Sequence, residues 1–295
     1  DFAIHRNYNE ICDALLSKKG IDINSNLNDA KKTPLHLAIY FNNYEVIQRL
    51  ISNKKIKVNV QDSDGMTPLM TAIEKNNTEM NDFVLELLRN HKNVLEGINL
   101  QNKSRGQNAF LISTFNSNTE IFSTLLNLEG VDLESKDKKG RTALYLLLKS
   151  FYVGRITDVN ERIVMLLDKC PSFLNIPTRS GKTPFYRSIS KSNNSTRFSD
   201  IILFFLDQEG IDLSLPSDLA TNEYKSEMSK KAKKKKEEEK SISLLHMACS
   251  RMMPKVVERL IPLTIHYYEE KGIEENIFTQ KDYDGNTLIN IACSR

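Results

Sequence analysis

Three places in this sequence have the residue types and spacing for chemistry. Gly181-Lys182-Thr183 ends like a phosphate-binding loop, in which backbone N–H groups and a lysine cradle phosphates. The earlier glycine and the flanking strand of such a loop are missing, and Thr183-Pro184 reads better as the start of a helix. His246 and Cys249 stand three residues apart, a spacing that places two metal ligands on one helix face. Both fall at positions set by a repeated pattern, which accounts for them without a metal. The third place is the run KKAKKKKEEEK, with Lys230, Lys231, Lys233, Lys234, Lys235 and Lys236. Such a run suits nuclear import or an RNA contact, but Glu237, Glu238 and Glu239 partly cancel it, and a solvated charged segment is the simpler reading. No Gly-x-Ser-x-Gly, His-Glu-x-x-His or calcium-loop pattern occurs. The expectation is a chain without a catalytic residue, a metal site or a cofactor.

Composition narrows the class further. Of 295 residues, 41 are Lys or Arg and 38 are Asp or Glu, a net charge of +3 that is too balanced to imply nucleic acid by itself. The longest run of aliphatic and aromatic residues, from Ile201 to Leu206, falls far short of the roughly 20 residues that span a bilayer, so no membrane insertion is expected. Trp is absent, and 11 Gly and 8 Pro are few for this length, which favours helices over a turn-rich β fold. Cys12, Cys170, Cys249 and Cys293 are too far apart for a disulfide framework or a Cys-only zinc site to suggest itself. A reducing compartment follows, with the cytoplasm as the expected location and the nucleus as the alternative if the lysine run is an import signal.

The positioning elements repeat. TPLHLA begins at Thr33 and TPLMTA at Thr67; weaker copies are NAFLIS from Asn108, TALYLL from Thr142 and TPFYRS from Thr183; SLLHMA from Ser243 and TLINIA from Thr287 restore the pattern. The steps are 34, 41, 34, 41, 60 and 44 residues. A second stripe follows most copies, as in Val46-Ile47-Leu50-Ile51, Ile121-Phe122-Leu125-Leu126 and Val256-Val257-Leu260-Ile261, an apolar spacing that makes one face of a helix. Then come short stretches such as Ile21-Asp-Ile-Asn24, Val58-Asn-Val60, Ile98-Asn-Leu100, Val131-Asp-Leu133 and Ile211-Asp-Leu213. Gly65, Gly106, Gly140, Gly181 or Gly285 precedes the next copy, and these segments read as hairpin fingers.

On these residues the chain resembles the ankyrin repeat family, with about seven divergent repeats covering nearly all of it. The resemblance implies an all-α fold, an ankyrin-type α-solenoid of stacked helix-turn-helix repeats with short β-hairpin fingers. One solenoid over residues 1–295 is expected, with no polar capping unit at either end, which reads as a stretch of a longer protein. Insertions lengthen several turns, and the charged low-complexity insertion at residues 217–241 is the largest.

The motif has its own physical chemistry. Thr33, Thr67 and Thr183 suit the N-cap, where a hydroxyl accepts bonds from unpaired backbone N–H groups. Pro34, Pro68 and Pro184 suit the first helical position. Leu35 and Ala38 should face the core. His36 and His246 sit where the family uses histidine to hydrogen-bond between repeats. Cys249 and Cys293 each follow an alanine of the motif and read as small core residues.

Function must then lie on the surface. The resemblance implies a concave groove lined by finger tips and first helices, where partners bind. Mapping by repeat position gives the basic candidates Arg105, Lys138, Lys139, Arg141, Lys149, Arg179 and Lys182, with few acids on that face. Tyr40, Phe41, Met66 and Phe115 are the candidate apolar anchors. The expected activity is protein–protein interaction, a scaffold that takes an acidic or extended segment of another protein. The alternatives are the regulatory portion of a larger kinase, ADP-ribosyltransferase or channel, and, less favoured by the charge balance, nucleic-acid binding.

Overall fold

The computed structural model describes residues 2–18, 20–90, 92–191, 196–214, 243–274, 276–282 and 284–294. The insertion at 217–241, with its lysine run, lies outside them. The chain divides into two compact units, one of residues 1–138 with 154–158 and one of residues 139–153 with 159–295.

In the first unit the helices come in pairs. They are α1 (Phe2–His5) with α2 (Asn9–Leu16), α3 (Pro34–Tyr40) with α4 (Tyr44–Ile51), α5 (Pro68–Lys75) with α6 (Thr78–Asn90), and α7 (Ala109–Ser113) with α8 (Thr119–Asn127). The first helix of each pair packs on the first helix of the next, α1 on α3, α3 on α5 and α5 on α7. The second unit repeats this with α9 (Ala143–Tyr152), α11 (Pro184–Lys191), α13 (Leu244–Ser250) and α15 (Leu288–Cys293) as first helices. Their companions are α10 (Val159–Lys169), α12 (Thr196–Leu206) and α14 (Pro254–Lys271).

Each helix starts where the motif says it should. Thr33 Oγ1 accepts from the His36 N–H, Thr67 Oγ1 from Met70 at 3.3 Å and Thr183 Oγ1 from Tyr186 at 3.1 Å. In the weaker copy Asn108 takes this role, its Oδ1 accepting from Leu111 at 2.9 Å. A Ser, Thr or Asn cap of this kind is worth about 1 kcal/mol. Thr142 keeps the extended backbone of an N-cap, but its buried Oγ1 makes no such bond.

The stripes make the core. Leu35, Ala38, Val46, Ile47 and Leu50 are buried, as are Ile121, Phe122 and Leu125. Phe110 and Phe122 stack with ring centroids 5.5 Å apart inside the first unit. In the second unit Leu245, Ala248, Val256 and Leu260 are likewise buried.

The fingers differ from the expected hairpins: no residue among those described is in a β-strand. Side-chain amides do the work of a strand ladder. Asn24 Nδ2 donates to the Lys55 carbonyl at 2.9 Å while its Oδ1 accepts from the Lys57 N–H at 2.7 Å. Asn99 bonds Gly130 and Asp132 in the same two-sided way, and Asn175 bonds Gly210 and Asp212. The finger tips are tight turns, as in the Asp62 N–H to Met66 oxygen bond of 2.9 Å and the Gly65 N–H to Asp62 oxygen bond of 3.0 Å.

Candidate functional site

The tips stack through their backbones. In the first unit Ser63 N–H donates to the Ala30 oxygen at 2.8 Å, Lys103 N–H to Asp64 at 2.7 Å and Lys138 N–H to Arg105 at 2.8 Å. In the second unit Arg179 N–H donates to the Lys139 oxygen at 3.0 Å. Two glycines permit this approach. Gly65 has φ +73°, and a Cβ there would sit 2.9 Å from the Lys103 nitrogen; Gly140 has φ +70°, and a Cβ would sit 2.9 Å from the Arg179 nitrogen. Such contacts require that position to remain glycine.

This backbone stacking holds the basic side chains in a row within each unit. In the first unit Lys103, Arg105 and Lys138 are exposed, with Lys138 Nζ reaching back to the Lys103 carbonyl and Lys103 Nζ to the Ser63 carbonyl at 3.3 Å. Arg105 also meets an acid: its Nη1 lies 3.4 Å from Glu74 Oε1 on α5. In the second unit Lys139 and Arg179 are exposed, and Arg141, Lys149 and Lys182 are half-buried. Lys182 Nζ lies 5.9 Å from the centre of the Tyr186 ring.

The aromatic candidates are less alike than their positions suggest. Tyr40 is 48% exposed at the end of α3, held between two ammonium groups: Lys32 Nζ lies 4.3 Å and Lys75 Nζ 4.7 Å from its ring centre. Lys75 also donates to the Tyr40 carbonyl. Burial, with the Lys32 charge second, pushes the Lys75 pKa down. Phe41 is half-buried, its ring 4.5 Å from His5 and 5.1 Å from Tyr40. Met66 is half-buried too and serves its own unit, its carbonyl taking a bond from His36 and its sulfur one from Asn102 at 3.6 Å. Phe115 lies half-buried beneath the Arg155 guanidinium, 5.7 Å from its ring centre.

Several residues on these faces were not among the sequence candidates. In the second unit Arg187 lies 5.8 Å from the ring centres of both Tyr145 and Tyr152, and Arg251 Nη2 donates to the Ser190 carbonyl at 2.7 Å. Tyr152 donates to the Ser188 carbonyl at 2.9 Å, and its burial pushes the phenol pKa well up. Burial lowers the Arg251 pKa. Arg187 and Arg251 thus gather with Tyr145 and Tyr152 in an arginine–tyrosine cluster. Its members lie on α9, on α11 and just past the end of α13, so no local motif announces it.

The histidines behave as the repeat implies. His36 Nε2 donates to the Met66 carbonyl at 3.0 Å, and His246 Nε2 to the Gln280 carbonyl at 3.1 Å. Burial lowers the pKa of both. The cysteines need a correction: Cys249 is half-buried, with its pKa raised by burial, and Cys293 is exposed on α15 rather than in a core. Among the described residues no group of three or more His, Cys, Asp and Glu is placed to hold a metal ion, and no helix is long and apolar enough to cross a membrane.

Paired helices stacked first on first, with capped starts and amide-bonded fingers, define an all-α repeat fold. Comparison with known proteins says which. The family model described as ankyrin repeats, three copies, matches residues 1–96. The chain resembles the crystal structure of an ankyrin repeat protein with a TM-score of 0.57 and 15% identity, over 81% of this chain and 98% of that one. It is 33% identical over 123 residues to the NF-kappa-B p105 subunit of Gallus gallus, covering 41% of this chain and 12% of that protein. It is 28% identical over 152 residues to a Dictyostelium discoideum protein that carries the name of a serine/threonine-protein kinase, covering 51% of this chain and 17% of that protein. It is 26% identical over 178 residues to the B-cell lymphoma 3 protein homolog of Mus musculus, covering 58% and 36%. The chain thus spans about a third or less of these relatives. Residues 1–96 thus match the ankyrin repeat family, and the chain shares the ankyrin repeat fold.

Proposed function

We propose that this chain is a non-catalytic protein-interaction module that binds an acidic, extended segment of another protein on the face formed by its finger tips and first helices. The observation that carries this reading is the tip-to-tip hydrogen bonding. It spends the backbone on the stack and sets the exposed residues Arg105 and Lys138 at the tips of one unit, and Lys139 and Arg179 at the tips of the other. Arg141, Lys149 and Lys182 add positive charge in the second unit, and in the first unit Tyr40 and Phe115 hold cations over their rings. Within each unit, like charges closer than a few Debye lengths sum into a steering field even where each contact is worth little alone. The test is binding of a fluorescent acidic peptide, a glutamate-rich decapeptide, followed against salt and against its glutamine counterpart. The reading requires the acidic peptide to bind more tightly at low salt and the glutamine peptide to bind weakly throughout.

A second reading has one observation behind it. A relative carrying a kinase name contains a stretch like this one as 17% of its length. The same binding face would then regulate an enzyme to which the repeats are joined.

A further inference from the structure

The first unit contains a pocket of about 220 Å³ that the repeat pattern does not announce. It is lined by Ile73, Glu74, Arg105, Gln107, Phe115 and Arg155, among others. Its walls are fixed. Asn116 Nδ2 donates to the Ile73 carbonyl at 2.9 Å, and Asn76 Oδ1 accepts from the Ser117 N–H and hydroxyl at 2.8 and 2.9 Å. Arg155 belongs to residues 154–158, the short segment that joins this unit from beyond its main stretch.

Two features mark the pocket as built for a ligand. The first is Gln107, only 1% exposed, whose side-chain oxygen is buried and accepts no hydrogen bond. A buried acceptor of this kind is normally satisfied, and an N–H donor is what would satisfy it. The second is a pair of guanidinium groups. Arg155 rests over Phe115 and pairs with no carboxylate among the described residues. Arg105 has Glu74, but at 3.4 Å and with both side chains more than half exposed, a contact that water screens and a competing carboxylate can replace.

We infer that this pocket receives one side-chain carboxylate of an extended partner peptide, paired with Arg105 and Arg155, while Gln107 Oε1 accepts a main-chain N–H of the same peptide. The inference rests on the groove-binding reading and adds where and how an acidic residue is held. Size decides against a cofactor or a drug-sized molecule, which occupy about 300–1,000 Å³. Chemistry decides against a bare anion: sulfate could pair with the arginines but has no proton for the Gln107 acceptor, and hydrogen phosphate, which has one, offers no stem to the apolar wall. Isoleucines 73 and 112 and the Phe115 ring give the stem of a glutamate an apolar wall.

The experiment measures fluorescence anisotropy of the glutamate-rich decapeptide with the whole chain, its Arg155→Ala and Gln107→Leu variants, and the Arg141→Glu/Lys182→Glu double variant of the other unit. Arg155 is exposed, and leucine at 107 removes an unsatisfied polar group, so circular dichroism should show both single variants folded. Each should weaken the acidic peptide roughly tenfold, as the loss of a charge-assisted or buried hydrogen bond does. Inorganic phosphate at matched ionic strength should compete no better against wild type than against either single variant. Unchanged affinity in both single variants, or displacement by phosphate that depends on Arg155 alone, overturns the pocket inference. If the double variant still weakens binding in that case, the groove reading stands without the pocket; if wild type binds no acidic peptide, both fall.

Discussion

His36 Nε2 and the Met66 carbonyl oxygen lie 3.0 Å apart, joining the start of one helix pair to the finger that introduces the next. The same imidazole accepts from the Thr33 backbone N–H at 3.3 Å through Nδ1, with the Thr33 hydroxyl 2.8 Å away. The ring is therefore the neutral tautomer with its proton on Nε2, and it ties a helix cap, a helix turn and a neighbouring repeat together. His36→Ala should cost on the order of 1–3 kcal/mol, because the buried Thr33 N–H loses its partner and the part-buried Met66 carbonyl keeps only the Asp62 N–H. Urea unfolding measures it, and an unchanged midpoint would show that the bond contributes nothing.

The two histidines set a pH dependence with a definite sign. Burial lowers their folded-state pKa below the ordinary value of 6.5. Between those values the unfolded chain binds more protons than the folded one, so stability rises with pH. It should be complete above about pH 6.5 and fall as acid is added through the window below. Unfolding midpoints from pH 7.5 to 5.0 test this, and in a His36→Gln variant the acid loss should be smaller. An equal loss in that variant would assign the dependence elsewhere.

Gly65→Ala and Gly140→Ala should each destabilise their unit. The new alanine must keep φ near +70°, and its methyl presses on the next finger's backbone nitrogen. Left-handed backbone alone costs a non-glycine residue about 1–2 kcal/mol, and the contact adds to it. Gly130→Ala is the control: its φ is +84°, but nothing lies within 4 Å of an added Cβ. Thermal unfolding should rank Gly65 and Gly140 variants below Gly130→Ala; equal midpoints would deny the stacking contact any role.

Phe110→Ala should be among the costlier single changes in the first unit. The ring is fully buried and stacks on Phe122, and buried Phe→Ala changes cost roughly 3–5 kcal/mol. A loss below 1 kcal/mol by urea unfolding would mean that this weakest copy of the motif is not a packed repeat.

Much of this was legible because it is local. Thr33-Pro34 or Thr183-Pro184 encodes a helix start in two residues, and Val46-Ile47-Leu50-Ile51 encodes a buried face in six. The fingers were legible in place but not in kind, since Asn24, Asn99 and Asn175 satisfy the backbone with side-chain amides and leave no strand ladder. Cys293 shares the sequence context of a core residue yet is exposed at the end of α15. The pocket was illegible: Arg155 reaches Phe115 across 40 residues of chain, and nothing in either neighbourhood states the pairing.

The central claim is that the basic tips recruit an acidic partner, and association kinetics test it most directly. Stopped-flow mixing of the glutamate-rich decapeptide with wild type and with Arg141→Glu/Lys182→Glu should give an association rate that is lower in the double variant by on the order of tenfold at low salt. Its dependence on ionic strength should be shallower as well, with circular dichroism unchanged. Equal rates and equal salt slopes for the two proteins would contradict the account and place the partner's site away from these tips.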